Sequence, residues 1–136
     1  MTTGERRRRQ WDTSWTALAA AQADVPSHTG PREKACFAIG PEGDADAPVV
    51  HRVRFGPRHR VEPHTHPTDY AEIVLEGTQQ IGRRWYGPGD IRVVRANTPY
   101  GPLIAGPGGC TVLIIFRTGD SAPIWRTPRP PVEGSR

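Results

Sequence analysis

Apolar residues in this chain come in short bursts, and their rhythm changes once. Around TALAAAQAD, small and apolar positions follow a helical spacing, with Asp12 or Thr13 as N-cap and Trp15 and Leu18 packing inward. No helical period survives beyond residue 24. From there the apolar runs are short and are separated by turn-forming stretches, GPEGDADAP, FGP, EG, YGPGD and GPGG. This pattern predicts a small all-β sandwich or barrel. The expected strands are Lys34–Ile39, Val49–Phe55, Tyr70–Leu75, Thr78–Ile81, Ile91–Val94 and Thr111–Phe116. In the second of these, Val49, His51, Val53 and Phe55 share one face, and Val50, Arg52 and Arg54 the other. The arginine face is wet and His51 lies on the apolar face. A lone inward histidine is more often a hydrogen-bonded core residue than a ligand.

Composition narrows the picture. The chain has 136 residues, enough for one core, and 15 glycines and 15 prolines break it into short elements. Three parts are expected: an arm with a short helix over 1–30, a β-barrel over 31–120 and a Pro-rich tail over 121–136. No stretch approaches 18 consecutive apolar residues, so no bilayer-spanning helix and no membrane partner are expected. The net charge is +4 and Arg6 to Arg9 supply four positive charges, so the remainder is close to neutral. A basic arm can grip phosphates, but no recognition helix or zinc-finger spacing accompanies it, and no nucleic-acid partner is expected. Paired arginines, small residues and Ala-Gln-Ala mimic a twin-arginine leader. Asp12, Thr13, Ser14 and the short apolar stretch argue against export. Cys36 and Cys110 have no metal-ligand spacing and read as small buried hydrophobes in a reducing cytoplasm.

The candidate chemistry lies in VEPHTHPTDYAEIVLEG, Val61 to Gly77. In an extended segment His64 and His66 point to the same side, so their imidazoles can converge on one point. Pro63 and Pro67 bracket them and limit the backbone. In the next strand Tyr70, Glu72 and Val74 fall on one face, and Asp69, Ala71, Ile73 and Leu75 on the other. A carboxylate amid apolar neighbours is rarely placed in a core unless it is paired or bound to a cation. Glu72 is therefore either the third ligand of a divalent first-row metal, with His64 and His66, or a solvated edge residue.

With these residues in view, the chain resembles a small single-domain cupin. The family's first motif is G-x5-H-x-H-x3-4-E-x6-G. Here His64, His66 and Gly77 fall in register, Arg58 stands at the opening glycine and Tyr70 at the glutamate. The second motif, G-x5-P-x-G-x2-H-x3-N, can be laid on GDIRVVRANTPYGPLI. There Gly89 matches, while Arg95, Asn97, Tyr100 and Ile104 replace the proline, glycine, histidine and asparagine. Asn97 still suits a turn that needs positive φ.

The resemblance covers about residues 34 to 118. It implies a double-sheet β-barrel of jelly-roll type closed around one pocket, usually dimeric, and usually holding iron, manganese, zinc, nickel or copper. Family ligands are three histidines and a glutamate. Only His64 and His66 carry over directly, Glu72 faces the way the missing glutamate would, and Tyr100 stands where the third histidine belongs. A phenol can ligate as phenolate, or stay protonated and serve as general acid or hydrogen-bond donor. A pocket that has lost its metal and uses Tyr70, Tyr100, His64, His66 and Glu72 for acid–base work is the alternative. Gln80, Trp85, Tyr86 and Arg95 are further pocket candidates. The expectation is a metal-dependent homodimeric enzyme acting on a small organic substrate, by dioxygenation or by redox-neutral cyclisation, dehydration or isomerisation. Tyr100, Tyr70 and Glu72 are its expected catalytic groups. A metal-free isomerase or epimerase and a non-catalytic binding protein are the other readings.

Overall fold

The structure, a computed structural model, describes residues 10–21 and 32–125. The basic run Arg6 to Arg9 and the chain beyond Trp125 lie outside the described residues. Helix α1 spans Trp15–Ala21. Its cap is Ser14 and not Asp12 or Thr13. The Ser14 hydroxyl accepts the Ala17 N–H at 3.2 Å, and its carbonyl accepts the Leu18 N–H at 3.0 Å. Trp15 and Leu18 are only half-buried, because the helix lies on the outside of the first strand, with Trp15 against Phe37.

Nine strands follow: β1 (Arg32–Ala38), β2 (Val49–Phe55), β3 (Arg60–Val61), β4 (His64–Thr65), β5 (Tyr70–Ile81), β6 (Arg84–Tyr86), β7 (Ile91–Val94), β8 (Leu103–Phe116) and β9 (Ile124–Trp125). All pairings are antiparallel. The main sheet runs β1-β2-β8-β5-β6, with β3 on β8 and β7 on β5, and β4 pairs with β9 in a second, two-stranded sheet. The inward faces enclose one core, with Val53, Phe55, Val61, Val74, Ile81, Leu103, Ala105, Cys110 and Val112 in contact. Tyr70, Val94 and Phe116 form a second cluster beside it. Each such Val, Leu or Phe contributes about 1.5–3 kcal/mol by leaving water.

Two turn signals in the sequence do not reverse the chain. The expected strands Tyr70–Leu75 and Thr78–Ile81 are one strand, β5, with irregular steps between Val74 and Glu76 and between Gly77 and Gln79. Opposite them GPGG opens as a bulge within β8, so pairing jumps from Gly77↔Cys110 to Gln79↔Ala105. Gly77 and Gly109 both have positive φ there (74° and 82°), and a Cβ on Gly77 would strike the Gly109 carbonyl. Two glycines let the strands pass where side chains would collide.

The four positions at which the cupin motifs carry glycine all have left-handed φ: Arg58 60°, Gly77 74°, Gly89 88° and Asn97 61°. Arg58 and Asn97 are the only non-glycine residues with positive φ among the described residues. The backbone of both motifs is therefore present even where the glycine is not. Among the described residues no helix is long and apolar enough to cross a membrane.

Candidate functional site

Inside the barrel a cavity of about 150 Å³ gathers His51, His64, His66, Tyr70, Glu72 and Tyr100. Each arrives by a local rule. Residues 70 and 72 of β5 face inward by alternation, the two-residue strand β4 begins at His64, and Tyr100 follows the Asn97 turn. A larger groove of about 870 Å³ runs outside, past Trp11, Phe37 and Ile39, but it is open and carries no imidazole. The chemistry-bearing groups are in the smaller, inner space.

The two imidazoles are oriented by the backbone. His64 Nδ1 lies 2.9 Å from the Glu62 carbonyl and His66 Nδ1 lies 2.8 Å from the Ser121 carbonyl. A carbonyl only accepts, so both Nδ1 atoms carry the proton and both Nε2 atoms present bare lone pairs. Those two Nε2 atoms face each other at 3.0 Å. The Tyr100 hydroxyl lies 3.0 Å from His64 Nε2, completing a cluster of two nitrogens and one oxygen. Burial lowers the pKa of both rings, His66 to about 4, so neither ring readily takes the proton that would relieve the facing lone pairs. A divalent cation fits this arrangement: two nitrogens side by side on an ion at roughly 2.1 Å each stand about 3 Å apart. Orientation of each ligating histidine through its other nitrogen is the usual companion of such binding.

Glu72 is drawn elsewhere. Its Oε1 accepts from Gln79 Nε2 at 2.6 Å and from the Arg92 guanidinium at 3.0 Å. It is buried and not a solvated edge residue. Among the described residues no three His, Cys, Asp or Glu come together closely enough to hold a metal. The physical reason is Arg92, a buried guanidinium on β7 directly opposite Glu72 in the β5–β7 register. A carboxylate with a fixed cation beside it has no need of a mobile one.

Arg92 also lies over the Tyr100 ring, 4.7 Å from its centroid, and 5.9 Å from that of Tyr70. Burial raises the Tyr100 pKa well above that of an ordinary phenol, with Tyr70 and Glu72 adding to the effect. In the metal-free cavity Tyr100 is therefore protonated. Tyr70 is raised by burial as well, and its hydroxyl has no hydrogen bond of good geometry although Arg92 and Tyr100 are beside it. His51, edge-on to Phe116 at 5.0 Å, is pushed down to about 3, chiefly by burial and then by Lys34. It is an uncharged imidazole facing the cavity.

Several positional expectations change. The irregular steps in β5 shift its alternation by one, so Gln79 and not Gln80 is fully buried beside Glu72. Trp85 is 54% exposed, Arg95 is exposed outside the cavity, and Tyr86 packs against the apolar core. Sequence reasoning missed Arg92, because alternation with the apolar Ile91 and Val93 points the arginine outward, whereas the structure exposes Ile91 and Val93 instead. It also missed the contribution of the tail: β9 pairs His64 with Trp125, their rings are 5.0 Å apart, and Ser121 to Pro123 line the cavity.

An antiparallel barrel with a histidine pair on an inner strand and left-handed turns at the motif positions defines a cupin fold. Solved structures agree. The polyketide cyclase RemF from Streptomyces resistomycificus superposes with a TM-score of 0.60 at 23% identity, covering 72% of each chain. A deletion mutant of the Bacillus subtilis oxalate decarboxylase OxdC gives 0.59 at 18% identity, over 70% of this chain but 28% of that one. An RmlC-like cupin protein from Ralstonia eutropha JMP134 gives 0.57 at 12% identity, over 71% and 60%. No known family's sequence profile matches the chain, and no curated protein matches it.

Proposed function

We propose that this chain is a small-molecule enzyme that binds a divalent transition metal through His64 and His66, with Tyr100 beside them. On this reading it carries out a redox-neutral cyclisation, dehydration or isomerisation. The observation that carries the proposal is the pair of Nε2 lone pairs facing each other at 3.0 Å, each ring locked through Nδ1 on a backbone carbonyl. Among the similar structures, one is a polyketide cyclase and another, the oxalate decarboxylase, has Mn(II) centres.

When bound, the metal would supply Lewis-acid polarisation of a substrate carbonyl or enolate oxygen. His64 and His66 bind it and stay oriented through the Glu62 and Ser121 carbonyls. Tyr100 holds a proton on its hydroxyl at the edge of the cluster and can deliver it to a substrate oxygen or carbon. Arg92, over the Tyr100 ring and within the field of its hydroxyl, favours the phenolate that forms when the proton leaves. Phe116, Leu103 and Trp125 give the cavity around these groups an apolar lining.

A second reading has its own support, because Glu72 Oε1 accepts from Arg92 and the side chain that reaches His64 Nε2 beside His66 is a phenol. Without metal, His64 Nε2 and the Tyr100 hydroxyl form a base and an acid 3.0 Å apart, suited to an isomerase or epimerase. Elemental analysis of untagged protein against a His64→Ala/His66→Ala variant separates the two. Near-stoichiometric metal that the variant loses, with the melting temperature of the metal-free proteins unchanged, supports the first reading. Native protein that stays metal-free after reconstitution with iron, manganese, zinc, nickel and copper overturns it in favour of the second.

A further inference from the structure

The cavity has a second polar end that the chemistry above does not use. β1 is the edge strand of the main sheet, and its register sets Arg32 opposite Phe55, Lys34 opposite Val53 and Cys36 opposite His51. Phe55, Val53 and His51 are the inward residues of β2, so Arg32 and Lys34 share their face and line the same cavity. Both are half-buried. Among the described residues the ion pairs are Arg60–Glu62, Arg92–Glu72 and Arg117–Asp69, so neither Arg32 nor Lys34 has a carboxylate partner. The carboxylate of the cavity, Glu72, already accepts from Arg92 and Gln79. Lys34 is moreover the chain's one lysine, against seventeen arginines.

Two cations partly withdrawn from water, with no counter-ion among the described residues, are costly to the fold, and an arriving anion offsets that cost. Desolvation already lowers the pKa of both. The apolar side chains between this end and the imidazoles, among them Val53, Phe55, Leu103 and Phe116, suit a flat, apolar body. We propose that the substrate carries a carboxylate, held by Arg32 and Lys34 at the β1 end of the cavity, with its reacting part against Tyr100 and His64. The planar guanidinium matches the two oxygens of a carboxylate. The proposal rests on the reading above only for which end of the substrate reacts.

The test uses benzoate, benzamide and inorganic phosphate as calorimetric titrants of the full chain. Benzoate is expected to bind the native protein, with benzamide and phosphate binding about tenfold more weakly or not at all. Lys34→Gln and Arg32→Gln should each weaken benzoate by about tenfold, as expected for loss of one charge-assisted contact, while Lys34→Arg keeps most of the affinity. The His64→Ala/His66→Ala variant should still bind benzoate, which separates this contact from carboxylate ligation of a metal. Benzamide or phosphate binding as well as benzoate overturns the proposal. So does a Lys34→Gln variant with unchanged affinity, or benzoate binding that is absent or disappears with the histidine pair. Metal content is read separately: benzoate binding in a protein that takes no metal would sink the metal reading and leave the carboxylate contact standing.

Discussion

Two polar clusters share one small cavity and solve opposite problems. In one, Glu72 accepts from Gln79 and Arg92, so a buried negative charge has its cation built into the fold. In the other, His64 and His66 turn their donors to backbone carbonyls and aim two acceptors at each other. The first cluster satisfies its central acceptor within the protein, and it belongs to the structure. The second leaves two acceptors facing each other with the Tyr100 hydroxyl within reach of one of them, and on the function proposed above it is a cation that completes it.

The comparison breaks most readily at Arg92. The Arg92–Glu72 pair is well shielded, with side-chain exposures of 12% and 4%, so Arg92→Met should strand a buried charge and cost about 3–5 kcal/mol in urea denaturation. A Glu72→Gln/Arg92→Met double variant should recover most of that loss. A cost below about 1 kcal/mol for Arg92→Met would show that the pair is not structural.

Acid probes the other cluster. In metal-free protein the His66 value of about 4 lies below the ordinary 6.5, so the unfolded chain takes up the proton first. Stability from this group is therefore full above pH 6.5, falls as the pH drops to about 4 and is flat below it. The loss is on the order of 2 kcal/mol after allowance for partial exposure. His66→Gln should reduce that part of the profile, leaving the losses from His64, which burial also lowers, and from His51, which extends to about pH 3. Stability that rises on acidification between pH 6.5 and 4 would contradict the geometry of the imidazole pair.

The smallest effect on stability is expected at Tyr100. Tyr100→Phe removes one hydroxyl 3.0 Å from His64 Nε2 and should change stability by no more than about 1 kcal/mol. Its value lies in the metal content of the variant. Unchanged stoichiometry leaves Tyr100 as the proton-bearing group, and reduced stoichiometry makes it a ligand.

How far the sequence reveals this site depends on which rule places each residue. Period-two alternation is local, so the common direction of His64 and His66 and the inward turn of Tyr70 and Glu72 are legible directly. Tyr100 is legible only through motif register, because the Asn97 turn that delivers it has no local hydrophobic signature. The bulges in β5 and β8 defeat the same alternation five residues later, exchanging Gln80 for Gln79, because two glycine-rich segments pack against each other there. The partner of Glu72 was equally hidden. Alternation with the apolar Ile91 and Val93 points Arg92 outward, and only the pairing of β5 with β7 brings it opposite that carboxylate. The Pro-rich segment after Ser121 carries no strand signal, since β9 is two residues long and draws its order from β4.

That short strand sets an order of events. His66 finds its oriented proton acceptor at Ser121, a residue 55 positions further along, and His64 gains its strand partner only at Trp125. While the chain is being synthesised, the barrel strands through Phe116 can therefore be in place with His66 still without the carbonyl that orients it. The working geometry follows the barrel rather than preceding it.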